Sequence, residues 1–540
     1  MKIFEILDRR QERLIAYLSL FLSISFFFVG IFFGLDFTDS FYHLNQALHP
    51  AGDQHLYPFL GSSLIIKEIV ELLGPKIIFL RLANSLLLLL SFLFPFLILK
   101  PQLSRNKIML YLACGLILFL PFNVNILGYD TLSIFFLSLI FTLCIYHIKK
   151  PKLSKLLFLS ILCSAAVLVR LPNILVLPII FFWFLFFRSA FPKTLLYRWQ
   201  AVILLLLSLL GLALGYALYY GSWNSFINAS ANADSHFIKE LLQNYFRDGI
   251  QLFFFLSFIL ISYFLFLRIR RRISKVFTYL LLILILLIFM SYYLLPTKYI
   301  FNYSLFIFAV VLSYTGIQIF HWKKRSGMQL QIFVLYFLFL FINLFGSNTG
   351  LLKGYSLFVL FPFVFSIGNS AGKNYWSTLL LVLIPFSFVN KLYGIYEDKN
   401  LLSLNVVPRH ELLSPIRTNE FRAQFLDAID AEVKELGSRD IKVYFYGDKS
   451  HIFHYLYPRS VVISGFFHQS IDDLTSRAKI KEMLQGKDNF AIFIIHSYPE
   501  SSNFLTSALE GDFQRMGVGR IEKGLLTYYL KSIDSQKQTD

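Results

Sequence analysis

The stretch that decides the fold is residues 14–48, which read LIAYLSLFLSISFFFVGIFFGLDFTDSFYHLNQAL. The part up to Gly34 is about twenty apolar residues long, which is the length of a helix that crosses the hydrocarbon core of a bilayer. Charged residues precede this apolar run, as in a signal peptide, but no small-residue cleavage site follows it. The run is therefore predicted to remain in the protein as its first membrane span. Asp36 and Asp39 come directly after it. Two carboxylates are therefore expected within a few residues of a membrane surface.

The composition of the whole chain is that of a polytopic membrane protein. Of its 540 residues, 56% are hydrophobic and 15% are charged, and the mean hydropathy is +0.62. The net charge of +18 would suggest nucleic acid as the partner of a soluble protein. Here the basic residues lie in short loops between apolar runs, where they report membrane topology. We therefore expect membrane lipid as a partner, and no nucleic acid.

Twelve more apolar runs follow the first, so the sequence predicts about thirteen spans. The runs are Ile77–Leu99, Ile108–Phe122, Thr131–Ile148, Leu156–Val169, Ile174–Phe187, Ala201–Tyr220, Leu252–Leu267, Val276–Leu295, Tyr299–Phe320, Gln329–Phe345, Leu351–Ile367 and Trp376–Val389. The break at Arg170-Leu-Pro-Asn173 could be a loop or a proline kink in one long helix. We interpret it as a loop, because the alternation of charged loops requires one there.

Lysine and arginine are concentrated in alternate loops, which fixes the predicted orientation. Under the positive-inside rule these loops are cytoplasmic, and so is the N-terminus. An odd number of spans then places everything after Val389 on the outer face. The first long loop, residues 35–76, lies on the same face. The predicted location is the cytoplasmic membrane of a bacterium, crossed many times, with the C-terminal domain outside.

Two domains are predicted. The transmembrane domain covers residues 1–398, and its outer first loop contains two amphipathic helices, Asp39–Leu48 and Phe59–Leu73, which suit the membrane interface. Residues 399–540 have the mixed composition of a small soluble α/β domain. Its predicted helices are Thr418–Leu436 and Ser470–Leu484, and its predicted strands are Lys442–Tyr446, Phe490–Ile495 and Leu525–Leu530. The fold class is thus a polytopic all-α membrane domain followed by a small C-terminal α/β domain.

Ionisable side chains at the outer membrane edge are candidates for function, because burying them is costly. The candidates are Asp36, Asp39, Asp53, Arg81, Asp130, Arg170, Lys298 and Lys353. The set mixes carboxylates, which can take a proton from a hydroxyl, with cations, which can hold a phosphate. This combination fits a site that activates a hydroxyl group and stabilises a departing phosphate.

Each candidate also has a structural interpretation. Asp39 and Asp36 could cap the helix that begins near Thr38, and Asp130 could cap the fourth span. The functional alternative makes Asp39 a general base. Asp130 would then be a second acidic group that binds substrate hydroxyls or shares a divalent cation with Asp39. The basic residues could simply extend their charged ends to the membrane surface.

Several short motifs resemble the type C membrane glycosyltransferases, in particular the bacterial branch related to protein O-mannosyltransferases and the lipid A aminoarabinose transferase. The first-loop motif of that family is commonly Asp-Glu followed by an aromatic residue, and this chain has Thr38-Asp39-Ser40-Phe41-Tyr42. Asp39 matches the Asp, whereas Ser40 replaces the Glu. The departure weakens a metal assignment, makes Asp39 the best candidate base and leaves Asp36 as its alternate.

Four other segments are similar to family features. They are Leu73-Gly-Pro-Lys-Ile-Ile-Phe-Leu-Arg-Leu-Ala83, Asp130, Ala165-Ala-Val-Leu-Val-Arg-Leu-Pro172 and Pro296-Thr-Lys-Tyr299. The resemblance implies an inverting glycosyltransferase that takes a sugar from a polyprenyl-phosphate donor and passes it to a lipid, glycan or protein acceptor. Arg81, Arg170, Lys298 and Lys353 would bind the donor phosphate. The sequence establishes no cofactor and leaves a divalent cation open.

Two other function classes stay open at this point. A transporter or flippase of lipid-linked glycans would be expected to have paired halves and broken helices, and the sequence shows no internal repeat. A polymerase or ligase of such glycans would share the phosphate-binding cations and depend less on Asp39.

Overall fold

The computed structural model describes residues 9–35, 37, 39–48, 59–99, 103–119, 126–149, 152–186, 194–221, 238–295, 301–321, 327–344, 350–368, 373–393, 400–439, 441–446, 450–458, 461–462, 490–496, 514–521 and 524–531. At some of these positions, Asp39 among them, only the backbone is described.

A bundle of helices forms the membrane domain. Its helices are α1 (Arg9–Val29), α2 (Asp39–Leu48), α3 (Leu60–Leu73), α4 (Ile77–Leu99), α5 (Arg105–Leu118), α6 (Tyr129–Lys149), α7 (Leu153–Val169), α8 (Val176–Phe186), α9 (Thr194–Tyr220), α10 (Ile238–Ile269), α11 (Lys275–Tyr293), α12 (Asn302–Phe320), α13 (Gly327–Phe339), α14 (Phe361–Ile367) and α15 (Lys373–Tyr393). Short 3-10 helices cover Gly30–Phe32, Leu171–Leu175, Ile342–Leu344 and Gly350–Leu360.

Within the described residues, each predicted apolar run overlaps one or two of these helical segments. Ten of the described helices are long and apolar enough to cross a membrane, which makes the chain a multi-pass membrane protein. The three remaining runs form shorter described helices: α5 has 14 residues, α7 has 17 and α8 has 11. The two amphipathic helices of the first loop, α2 and α3, are confirmed within one residue of the predicted bounds.

The predicted break before α8 is present. Helix α7 ends at Val169, Arg170 adopts an extended backbone conformation, and a 3-10 helix over Leu171–Leu175 leads into α8. Pro172 has no backbone N–H and so cannot donate the hydrogen bond that a continuing α-helix would require, which explains why α7 does not continue through it. The break places the Arg170 side chain at the end of α7.

The C-terminal domain contains a five-stranded mixed sheet with the order β2-β1-β3-β5-β4. Its elements are α16 (Glu420–Ser438), β1 (Lys442–Tyr446), α17 (His451–Leu456), β2 (Val461–Val462), β3 (Phe490–His496), β4 (Gln514–Ile521) and β5 (Gly524–Lys531). Strands β1, β2 and β3 are parallel, whereas β5 is antiparallel to β3 and β4.

The three predicted strands of this domain are confirmed as β1, β3 and β5, and the first predicted helix is confirmed as α16. Helix α16 begins after Asn419, whose side chain accepts a hydrogen bond from the Arg422 backbone N–H at 2.9 Å. The sequence reasoning missed the short β2, β4 and α17. The predicted helix Ser470–Leu484 lies outside the described residues.

Apart from the large apolar core inside the helix bundle, a smaller apolar core joins the C-terminal domain to one end of the bundle. Leu35, Phe37 and Phe41 of the first loop are buried in it together with residues from the starts of α4 and α6, the end of α7, and the C-terminal domain. A backbone bridge reinforces the junction: Arg417 N–H donates to Phe32 O at 2.7 Å, and Gly34 N–H donates to Arg417 O at 2.8 Å. The first loop and the C-terminal domain therefore share one end of the bundle, as the loop charges predicted.

Candidate active site

An ion pair between Lys353 and Asp130 lies at the end of the bundle that faces the C-terminal domain. The Lys353 ammonium contacts both carboxylate oxygens of Asp130, at 2.7 and 2.9 Å, although the two residues are 223 positions apart in the chain. Lys353 is 7% exposed and Asp130 is 33% exposed. The cation is therefore held inside the protein, while the carboxylate faces a partly open space.

Tyr129 lies between this ion pair and Arg170. Its hydroxyl accepts a hydrogen bond from Lys353 at 3.0 Å, and the Lys353 ammonium lies 4.8 Å from the centre of its ring. The Arg170 guanidinium lies 5.9 Å from the same ring centre. The electron-rich face of the ring attracts both cations and so helps to hold two like charges close together.

Arg170 is fixed by amide groups from inside the bundle. Its guanidinium donates to the backbone carbonyl of Asn343 at 3.3 Å and to the side-chain carbonyl of Asn343 at 3.2 Å. The Ser133 hydroxyl lies 3.0 Å from the Asn343 side chain and 3.0 Å from that of Asn173. Arg170 itself is 1% exposed. We call Tyr129, Asp130, Arg170, Asn343 and Lys353 the Lys353 cluster.

The helix that carries Lys353 has an unusual geometry. Residues Gly350–Leu360 form a 3-10 helix of 11 residues, whereas such helices rarely exceed four residues and longer ones often mark functional segments. The fully buried Asp248 of α10 accepts the backbone N–H of Leu351 at 3.2 Å and so caps its first turn. Gly350 has φ +62°, and a Cβ there would lie 2.4 Å from the Asp248 carboxylate. The start of this helix therefore requires both Asp248 and Gly350.

Arg81 occupies a different place from Arg170 and Lys353. It is fully buried, and its guanidinium donates to the carbonyls of Ile31 at 2.9 Å, Phe33 at 3.0 Å and Gly34 at 2.5 Å. These carbonyls lie between the end of α1 and the start of the first loop. The geometry favours Arg81 as the residue that anchors this loop, rather than as a ligand of an external phosphate.

The other predicted site residues are described only in part. Asp39 is the first residue of α2, and its side chain lies outside the described part of the chain. Asp36, Asp53 and Lys298 also lie outside the described residues. Two neighbours of Asp36 and Asp39 show that the first loop packs against the C-terminal domain. The ring centres of Phe37 and Phe453 are 6.2 Å apart, and those of Phe41 and Tyr455 are 5.4 Å apart.

Three residues of the site were not predicted from the sequence: Tyr129, Asn343 and Asp248. Each is a polar residue within or beside an apolar run, which is the general signal of an intramembrane functional group. Tyr129 immediately precedes the predicted Asp130. The signal was thus present for all three, but the sequence could not show that they converge.

Lys391 is a half-buried cation that the sequence reasoning left aside, and its contacts give it a structural role. Its ammonium donates to the carbonyl of Leu116 at 3.0 Å. Ser387 donates to the carbonyl of Ile117 at 2.5 Å, and Tyr303 donates to that of Leu118 at 3.0 Å. These three carbonyls are the last of α5, and a positive charge is favourable at that end of a helix. Lys391 therefore helps to terminate α5 inside the bundle.

A divalent cation does not fit the described part of this site. Both Asp130 oxygens accept hydrogen bonds from Lys353, whereas a divalent cation needs oxygen ligands free to face it. No group of three His, Cys, Asp or Glu side chains suited to a metal occurs among the residues whose side chains are described.

Comparisons with known proteins return solved structures only. No protein-family profile matches the chain, and no curated protein matches it. The crystal structure of apo ArnT from Cupriavidus metallidurans is similar with a TM-score of 0.46 and 11% identity, over 95% of this chain and 97% of that chain. The structure of the same ArnT bound to undecaprenyl phosphate gives a TM-score of 0.45 and 11% identity, over the same shares of the two chains.

Another similar structure is the Archaeoglobus fulgidus oligosaccharyltransferase in complex with zinc and sulfate. Its TM-score is 0.45 at 11% identity, over 89% of this chain and 68% of that chain. These are similarities of overall fold between chains that share 11% sequence identity.

Proposed function

We propose that this protein is an inverting glycosyltransferase. It moves a sugar from a polyprenyl-phosphate donor to a lipid, glycan or protein acceptor of the cell envelope, at the outer face of a bacterial cytoplasmic membrane. The observation that carries the proposal is the Lys353 cluster, in which two buried cations and one carboxylate meet at the end of the bundle beside the first loop.

The position of the cluster suits a lipid-linked phosphate. Lys353 and Arg170 lie at the ends of apolar helices, which is the depth at which a phosphate headgroup meets its hydrocarbon tail. Two cations beside one carboxylate favour a bound anion. Cations fixed in a partly dry site stabilise the negative charge that develops on a leaving phosphate more effectively than water does.

The reaction needs a single displacement. The acceptor hydroxyl oxygen bonds to the anomeric carbon from the face opposite the phosphate, and the bond between that carbon and the phosphate oxygen breaks. The phosphate leaves with the bonding electron pair, and the base takes the hydroxyl proton. We assign Asp39 as the base and Asp36 as its alternate, because both lie on the loop that Arg81 anchors beside the site. One displacement inverts the configuration at the anomeric carbon.

The second carboxylate and the orientation complete the proposal. Asp130 would bind a substrate hydroxyl, since it is the more exposed member of its ion pair. Lys298 would join the donor-binding cations. The N-terminus would be cytoplasmic and the domain of residues 399–540 extracytoplasmic, following the positions of the basic loops.

The first test is transfer by the purified full-length protein. We expect wild-type protein to release free polyprenyl phosphate from labelled polyprenyl-phosphate sugars when a membrane-extract acceptor is supplied. Asp39→Asn should lower the rate by roughly a hundredfold or more, because a positioned general base contributes about that much. The matched control is Asp427→Asn, which removes a carboxylate from the C-terminal domain, where it pairs with the exposed Arg409 at 3.5 Å.

The alternatives give different results in the same assay. Full transfer by Asp39→Asn would remove Asp39 from the mechanism and favour a polymerase or ligase. Movement of the donor across vesicle membranes, without any change in its covalent structure, would favour a flippase.

A further inference from the structure

All three hydrogen-bond donors of the Lys353 ammonium are occupied in the described structure. An ammonium group carries three N–H donors. The three contacts of Lys353 are the two Asp130 oxygens at 2.7 and 2.9 Å and the Tyr129 hydroxyl at 3.0 Å. A phosphate can gain a hydrogen bond from Lys353 only if one of these contacts is given up.

Building on the proposed function, we propose that the Asp130–Lys353 pair is an exchangeable latch. The phosphate of the lipid-linked donor displaces the Asp130 carboxylate from Lys353 when it binds. Lys353 then holds the phosphate, and the released carboxylate faces the substrate. Asp130 is thereby made available to a substrate hydroxyl only when the donor is present.

The burial of the two partners shows which of them moves. Lys353 is 7% exposed and lies on the 3-10 helix that Asp248 caps. Asp130 is 33% exposed and lies in the first turn of α6. Water can solvate the carboxylate after release, whereas the ammonium would be left buried without a counter-charge. The carboxylate is therefore the mobile partner, and Lys353 stays in place.

The exchange leaves Lys353 paired with a negative charge at each stage. Before the donor arrives, Asp130 neutralises Lys353, which avoids the cost of an unpaired cation near the membrane. After the exchange, the single negative charge of the donor phosphate replaces Asp130 beside Lys353, and the contacts of Arg170 to Asn343 and Tyr129 need not change. Because the latch must open, the apparent affinity for the donor is lower than the intrinsic affinity of the open site.

A double-mutant cycle on donor binding tests the latch. The probe is fluorescent undecaprenyl phosphate, titrated against full-length protein in lipid nanodiscs. Asp130→Asn keeps the shape of the side chain and removes its charge, so it should tighten binding by roughly tenfold, the equivalent of one charge-assisted hydrogen bond. Lys353→Met should weaken binding. The latch predicts that Asp130→Asn has almost no effect in the Lys353→Met background, because no ammonium is left to release.

Other results separate the latch from the proposed function. If Asp130→Asn tightens binding equally in both backgrounds, Asp130 merely repels the phosphate and the latch is wrong. If Asp130→Asn weakens binding while Lys353→Met also weakens it, Asp130 orients Lys353 and the latch is again wrong, but the phosphate site stands. If Lys353→Met leaves binding unchanged, the phosphate site itself is wrong.

A second variant covers the case in which Asp130→Asn fails to fold. Tyr129→Phe removes only the hydroxyl that accepts from Lys353, so it frees one N–H donor without changing charge. The latch predicts tighter binding by Tyr129→Phe, to a smaller extent than by Asp130→Asn. Unchanged or weaker binding by Tyr129→Phe would overturn the claim that the occupied donors of Lys353 limit donor binding.

Discussion

At the scale of single residues, the basic side chains at the ends of the helices fall into different roles. Arg81 donates to three backbone carbonyls, Lys391 helps to end α5, and Lys353 and Arg170 flank Tyr129. In the sequence these four residues look alike, because each is a cation near the end of an apolar run. What separates them is the partner that each one meets, and that partner is remote in the chain: Arg170 and Asn343 are 173 positions apart.

Arg81→Met should destabilise the protein while leaving the Lys353 cluster intact. The change keeps an unbranched apolar stem but removes the guanidinium, and with it the donors to the carbonyls of Ile31, Phe33 and Gly34. Losing hydrogen bonds from a buried charged group costs about 3 kcal/mol or more, which should appear as a lower thermal midpoint in nanodiscs.

The exposed Lys76, just before α4, provides the matched control. Lys76→Met should leave the midpoint almost unchanged. A normal midpoint for Arg81→Met would contradict the anchoring role.

At the scale of elements, the sequence is most informative where one local property decides the outcome. Apolar length located the long helices of the membrane domain, and period and composition located α2, α3, β1, β3 and β5. The 3-10 helix Gly350–Leu360 was predicted only as part of an apolar span. Its geometry depends on a hydrogen bond from Leu351 to Asp248, a residue 103 positions earlier. The local sequence pattern around Gly350 cannot reveal a contact with a residue so distant in the chain.

Gly350→Ala should disturb this 3-10 helix and the cation that it carries. The backbone φ of +62° costs a non-glycine residue about 1–2 kcal/mol. The new Cβ would also meet the Asp248 carboxylate at 2.4 Å. We expect a lower thermal midpoint together with weaker binding of undecaprenyl phosphate, since Lys353 lies three residues further on.

Gly316→Ala is the control for Gly350→Ala. Gly316 lies in α12, and a Cβ there meets nothing within 4 Å. Alanine is favoured over glycine inside a helix by roughly 1 kcal/mol, so this variant should be as stable as wild type or more stable. Equal behaviour of the two variants would show that the start of the 3-10 helix is not constrained as described.

At the scale of the whole molecule, the C-terminal domain is part of the structure that holds the first loop. The Arg422 guanidinium lies 5.0 Å from the centre of the Phe37 ring and donates to the carbonyl of Leu35. The Asn45 amide donates to the carbonyl of His451 at 2.6 Å. The residues on either side of Asp36, and the helix that begins at Asp39, are thus fixed by contacts from beyond residue 400. The sequence predicted that loop and domain share a face, but not that they share a core.

Arg422→Met should loosen the first loop without unfolding the bundle. It removes a charged hydrogen bond worth about 1.5–3 kcal/mol and the contact with Phe37. We expect faster hydrogen exchange over residues 34–48 and slower sugar transfer, with little change in exchange within α6 and α12.

Arg439→Met is the comparison, because Arg439 lies at the other end of α16 in an exposed pair with Glu435. Such surface pairs contribute at most about 1 kcal/mol, so its exchange pattern should match wild type. An unchanged first loop in Arg422→Met would show that the C-terminal domain does not position it.

On the proposed function, the Lys353 cluster binds the phosphate of a lipid-linked donor. The most direct measurement is an experimental structure of the full-length protein in nanodiscs with undecaprenyl phosphate. We predict density for the phosphate within hydrogen-bonding distance of the Lys353 ammonium and the Arg170 guanidinium, with the Asp130 carboxylate turned away from Lys353. A phosphate bound elsewhere, with the Asp130–Lys353 pair intact, would contradict the account.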